Sequence, residues 1–163
     1  FGNNNSYCQD NEISWIDWSL LEKNKDLFEF FKFMIDYRKK HPVIRKKLDN
    51  AVCGMEAMHA HDVNAERMEV PQNAKTLAVS FAGYDRKKGK DDLVYVAVNA
   101  YWEEVKITLP NLANHGAWYL SVDTYGDEKG KYFYQEGEEI RIDREYVMKP
   151  RSIVVFTGRE ILR

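Results

Sequence analysis

Between Lys25 and Lys40 the chain reads KDLFEFFKFMIDYRKK, followed by His41 and Pro42. With Asn24 as a cap and the proline as a stop, this pattern predicts a helix over 25–40. At about 100° per residue, Leu27, Phe28, Phe30, Phe31, Phe33, Met34, Ile35 and Tyr37 cover an arc of roughly 220°, whereas one core contact needs only roughly 100°. Glu29, Lys32, Asp36 and Lys39 hold the narrow polar remainder. A helix this apolar is expected between two bodies, of which the downstream sequence supplies one. The side bearing Phe30, Phe33 and Tyr37, some way round the arc from Phe28 and Ile35, is expected to be the one left bare.

After the helix the period changes from helical to alternating. TLAVSFAG (76–83), DLVYVAVNAYW (92–102), EVKITLP (104–110), AWYLSVDTYG (117–126), EEIRID (138–143) and SIVVFTG (152–158) are β-branched and aromatic, and turn residues separate most of them. In the third, Val105, Ile107 and Leu109 alternate with Lys106 and Thr108, the mark of a sheet with one wet face. The second is apolar on both faces, which puts it in the middle of a sheet. A further strand is expected somewhere in Cys53–His61. Short antiparallel strands joined by hairpins such as GYDRKKGKDD predict a mainly β fold, an antiparallel β-sandwich preceded by a short helical segment.

Composition narrows the function classes. With 163 residues, 44% hydrophobic and 31% charged, the chain has the make-up of a soluble globular domain. Its 24 basic and 26 acidic residues are spread evenly, so no basic stripe is present to neutralise phosphates. Nucleic acid is not expected as a partner, and neither is a membrane, since no apolar run reaches 18 residues. Cys8 and Cys53 lack the spacing of a zinc site and are expected as free thiols, which suits a reducing, cytoplasmic setting.

Chemistry-bearing motifs are few. Nucleophile elbows, phosphate loops and dinucleotide fingerprints are absent, and no cofactor is expected. HAHD, with His59, His61 and Asp62, could place two imidazoles on one face of a strand, but zinc needs further ligands that the sequence does not identify, so no metal is assigned. Asp91 and Asp92, like Asp10 and Glu12, read as solvated surface carboxylates. The opening FGNNNSYCQDNEISWIDW is different. Asn3, Asn4, Asn5, Tyr7, Gln9, Asp10 and Asn11 mix amide donors and acceptors with a flat ring, as binding a neutral polyol requires. Equally, asparagines satisfy turns by themselves.

GNNNSYCQDNEISWIDW resembles the segment just past the eighth barrel strand in the debranching branch of the α-amylase superfamily, which includes isoamylases, pullulanases and bacterial glycogen debranching enzymes. Phe1 and Gly2 fall at or just after that family's GDEFG-like turn. FFKFMIDYRKKHPVIR is similar to the family's FxxxLIxLRKxHP helix, and VNAYWEEVKITLP and VMKPRSIVVF resemble its C-terminal β-sandwich; the stretch from Lys46 to Pro71 departs from the pattern.

The resemblance implies a chain cut from a larger enzyme, with residues 1–45 left from the end of a β/α barrel and 46–163 forming the sandwich. It implies that the parent hydrolyses α-1,6 branch points of glycogen or starch with retention, through carboxylates on earlier barrel strands. None of those carboxylates would be in this chain, so the piece alone is expected to be inactive. Asn5, Tyr7, Gln9 and Asp10 are then candidate substrate-binding residues, with the barrel and the α-glucan polysaccharide as partners. A rival reading is a free-standing carbohydrate-binding module that stacks sugars on Trp102, Trp118 and Tyr119, although large aromatics also fill sandwich cores.

Overall fold

The computed structural model describes residues 7–65, 70–113 and 116–159. A single helical turn, α1 (Leu20–Lys23), leads into α2 (Lys25–Lys40), and a 3-10 turn follows at Pro42–Ile44. Helix α2 has the predicted bounds, but Asn24 does not cap it through its side chain. Its Nδ2 instead donates backwards to Leu20 O (3.2 Å), because α1 already occupies the turn before it.

Among the described residues eight strands follow: β1 (Met58–His61), β2 (Thr76–Asp85), β3 (Lys90–Asn99), β4 (Val105–Thr108), β5 (Ala117–Asp123), β6 (Ile140–Ile142), β7 (Glu145–Met148) and β8 (Ser152–Arg159). Six form an antiparallel sheet in the order β1-β2-β3-β8-β5-β6, and β4 pairs with β7 in a separate ribbon. The predicted antiparallel sandwich is therefore present. The strand expected within Cys53–His61 is confined to its last four residues. Residues 52 and 53 are held as a loop because their N–H groups donate to the Asp91 carboxylate (both 2.8 Å). Strand β7 is too short, and too close to β6, for its alternation to register in the sequence.

Strand β3 lies between β2 and β8, as its two apolar faces require. On one face Leu93, Tyr95 and Ala97 join Trp118, Leu120, Val154 and Phe156 beneath the ribbon's Ile107, Leu109 and Met148. On the other, Val94, Val122 and Val155 pack with Tyr37 and Val43, flanked by Phe30, Phe33, Met34 and Phe133. The layers run helix, sheet, ribbon, and each central strand is buried twice.

The helix is oriented opposite to expectation. Phe30, Phe33, Met34 and Tyr37, the side read as bare, face the sheet, and Phe33 stacks on Phe133 with ring centroids 4.5 Å apart. Leu27, Phe28, Phe31 and Ile35 are the exposed ones, at 55%, 48%, 59% and 56%. Each set spans about 100° of the helix, so the wide arc resolves into two ordinary stripes. The rotation is decided by Tyr37. Its hydroxyl bonds Thr157 Oγ1 on β8 (2.8 Å), which in turn bonds Ser121 Oγ on β5 (2.8 Å), a match that helical periodicity cannot show.

Where the helix ends, its last turn is clamped to β3. His41 Nδ1–H donates to Asp92 Oδ1 (2.6 Å), Val43 N–H donates to Asp92 Oδ2 (3.0 Å), and the Tyr37 ring lies over the imidazole at 4.3 Å. Asp92 is buried and Asp91 holds the 52–53 loop, so the reading of this pair as solvated surface is corrected. Two adjacent residues of a strand point to opposite faces, and each carboxylate meets orphan backbone donors on its own side.

Losing the Asp92 carboxylate strands a buried N–H and an imidazole, which typically costs about 2–3 kcal/mol. Asp92→Ala is expected to lower unfolding free energy by that amount in urea titrations, and Asp91→Ala, whose loop partners are more exposed, by less.

Candidate functional site

The opening loop is built by its own polar side chains. Cys8 takes a left-handed conformation (φ 56°), which turns the chain after Tyr7. Asn11 then organises the next turn. Its Oδ1 accepts Ile13 N–H (3.0 Å), its carbonyl accepts Ser14 and Trp15 N–H (2.9 and 3.1 Å), and its Nδ2 donates to Gln9 Oε1 (3.2 Å). Trp15 Nε1–H donates to Asp10 Oδ1 (2.9 Å). Asp17 Oδ1 accepts both the N–H and the hydroxyl of Ser19, and these bonds hold its carboxyl below the usual carboxylate range.

Tyr7, Gln9 and Asp10 therefore lie together on one short exposed loop, while Asn5 lies outside the described residues. Trp15 and Trp18 join them at the surface, 62% and 75% exposed, as does Ile16. Sequence reasoning did not include the two tryptophans among the site residues. The signal available was their position among polar residues ahead of any core periodicity. The arrangement offers a carboxylate oriented by an indole, an amide, a phenol and broad apolar ring faces. It can hydrogen-bond and stack against a neutral polyhydroxy ligand.

Other constellations prove structural. His61 is buried, with Nδ1–H donating to Ala65 O (3.2 Å) and Nε2 accepting from Ser80 Oγ (2.9 Å), so the lone pair a metal would need is occupied. His59 Nδ1 pairs with Glu56 (3.0 Å). No group of three or more His, Cys, Asp or Glu side chains placed to hold a metal occurs among the described residues. Cys8 and Cys53 are both free thiols, and burial raises that of Cys53. No helix among the described residues is long and apolar enough to cross a membrane.

Of the three aromatics considered for a binding module, Trp118 is buried and donates its indole N–H to Pro110 O (2.8 Å). Tyr119 lies under the Arg159 guanidinium at 5.2 Å, and only Trp102 is exposed. A cavity of about 610 Å3 opens where the end of α2 meets β3 and β8, lined in part by Phe33, Tyr37, His41, Glu139 and Arg159. Three charge pairs lie along it, Arg159 with Glu139, Lys40 with Asp36 and His41 with Asp92, and the first and third tie its walls together.

Residues 53–157 match the family model described as isoamylase, C-terminal. The chain belongs to this isoamylase C-terminal family. The resemblance to debranching enzymes is thereby upheld, and the matched span begins in the loop before β1 and runs into β8. The chain is 30% identical to the chloroplastic isoamylase 3 of Oryza sativa, over 76% of this chain and 15% of that protein. To the isoamylase of a Flavobacterium species it is 28% identical, over 98% of this chain and 22% of the relative. A 47-residue stretch is 53% identical to the glycogen operon protein GlgX homolog of Mycobacterium tuberculosis, 29% of this chain and 6% of that protein. The chain spans less than a quarter of the length of these relatives.

His61 also makes a pH test available. Burial lowers its pKa below the ordinary value near 6.5, so the unfolded chain takes up the proton first as pH falls. Its stabilisation is present above that value and is lost as pH drops through the folded pKa. The melting temperature is expected to be lower at pH 5 than at pH 7.5, and His61→Gln to shrink that difference.

Proposed function

We propose that this chain is the C-terminal part of a glycoside hydrolase that cleaves α-1,6 branch linkages in glycogen- or starch-type α-glucans. In this reading residues 46–163 form a supporting β-sandwich, and residues 1–45 carry the end of the catalytic barrel together with the loop at its rim. The catalytic carboxylates belong to earlier barrel strands, and this chain alone is inactive.

The observation that carries the reading is the exposed stripe Leu27, Phe28, Phe31 and Ile35 on a family member covering under a quarter of its enzyme relatives. Burying one such side chain typically stabilises by about 1.5–3 kcal/mol, so leaving four in water is unfavourable unless another body covers them. A barrel whose last helix is α2 supplies that body. Strand-end loops of such barrels form the active-site rim, where Asn5, Tyr7, Gln9 and Asp10 would contact glucan beside the scissile bond. The composition of the loop supports this, since it holds a carboxylate, amides and ring faces together. A free-standing binding module is less favoured, because Trp118 and Tyr119 are committed to the fold.

Two measurements in the full-length enzyme test the proposal. Phe31→Asp with Ile35→Asp is expected to lower the melting temperature and debranching of amylopectin together, since the change opens the barrel contact. Asp10→Ala and Tyr7→Ala are expected to reduce kcat/KM about tenfold with little change in melting temperature. Unchanged kinetics in both removes the loop from the site, and no debranching by the unmodified enzyme refutes the function.

A further inference from the structure

The loop that follows β3 carries an aromatic pair the fold does not use. Trp102 is 63% exposed, and the neighbouring Tyr101 ring backs it with centroids 4.3 Å apart and planes tilted by 40°. Lys75 Nζ lies in the wedge between them, 3.9 Å from the Tyr101 centroid and 5.0 Å from that of Trp102. Tyr101 and Lys75 brace the indole, and most of the residue stays open to solvent.

The turn beneath is rigid. Asn99, 1% exposed, donates through Nδ2 to Glu103 O (2.9 Å) and Lys149 O (3.0 Å), and accepts Tyr101 N–H at Oδ1 (3.0 Å). Arg151 N–H, on a residue in the left-handed region (φ 51°), donates to Tyr101 O (3.0 Å). One buried amide thus holds the loop at Tyr101 and Glu103 and ties it to Lys149, and the rings are preorganised, which lowers the ordering cost of binding. Glu103 and Glu104, which follow the pair in the chain, are exposed and polar. Ala100 N–H donates to Lys75 O (2.9 Å) and ties the 71–75 loop alongside.

We infer that Trp102, backed by Tyr101 and flanked by Lys75, is a stacking site for a pyranose ring of an α-glucan chain, separate from the opening loop. The assignment of the glucan rests on the function proposed above. A sugar ring has an apolar C–H face and an equatorial belt of hydroxyls. The exposed indole meets the first, while the Lys75 ammonium beside the rings can donate to the second. Charge also favours a neutral ligand, because Glu103 and Glu104 offset Lys75 and Lys149 and leave no excess positive charge for a phosphate. The site lies at the Asn99 end of β3, opposite the end clamped by His41 and Asp92, and would hold a branch of a large polymer away from the reacting bond.

The test is migration of the chain in native gels with and without glycogen, alongside Trp102→Ala, Trp102→Phe and Trp102→Leu. The unmodified chain is expected to be retarded by glycogen, and Trp102→Ala to bind about tenfold more weakly. Trp102→Phe keeps a ring face and should stay within about threefold of the original, whereas Trp102→Leu, apolar but without a ring, should bind as poorly as the alanine variant. Absence of retardation in the unmodified chain, or equal affinity of the Phe and Leu variants, overturns the site. Debranching is read separately in the full-length enzyme. An enzyme that binds but does not debranch refutes the proposed function alone, and one that debranches while the chain ignores glycogen refutes this site alone.

Discussion

Val94 and Val155 on one side of the six-stranded sheet, with Tyr95 and Phe156 on the other, leave its two central strands without a wet face, and the architecture follows from that constraint. A sheet buried on both sides must find two covers. The β4–β7 ribbon closes one face with Ile107, Leu109 and Met148, side chains fully removed from water. It cannot reach the other. Helix α2 closes that face and so becomes part of the same folding unit as the sandwich.

Apolar contact is non-directional and would let a helix slide or rotate on a bed of valines. Polar groups set its position here. The Tyr37–Thr157–Ser121 hydroxyl chain fixes the rotation of α2, and Asp92 fixes its end by accepting from His41 and Val43. These groups are buried, so each must be partnered, and only one seating of the helix partners them all. The stripe turned outward is a consequence of that seating. Leu27, Phe28, Phe31 and Ile35 are exposed because Phe30, Phe33 and Tyr37 are bound to the sheet.

That link joins stability to function. A helix held rigidly by the sandwich presents its outer stripe, and the loop leading into it, in a defined direction. The loop is itself organised by Asn11, Asp10 and Asp17, whose bonds to Ile13, Trp15 and Ser19 satisfy its turns without any contribution from a core. The polar side chains that form these turns are the ones the proposed glucan contact draws on, so the composition of the stretch fits both readings. Under the proposed function the sandwich would transmit stability to the barrel through α2.

Much of this was legible in the sequence. Helix α2 and six of the eight strands among the described residues follow from local periodicity, because each element's pattern reflects which of its own residues meet water. The central place of β3 was legible for the same reason, from apolar residues on both faces of DLVYVAV. The debranching relationship was legible in the opening loop and the strand motifs. Other features depended on partners distant in the chain. The side of α2 that is buried was set by Thr157, 120 positions beyond Tyr37, and the role of Asp92 by a histidine 51 positions before it. Strand β7 is four residues long and gains its identity only by pairing with β4. Trp118 and Trp102 are the same letter in similar surroundings. One is buried against Pro110 and the other stands in solvent, since burial is a property of what folds back over a residue and not of the residue itself. Local pattern therefore determined the elements, and tertiary contact decided which faces of them were left to act.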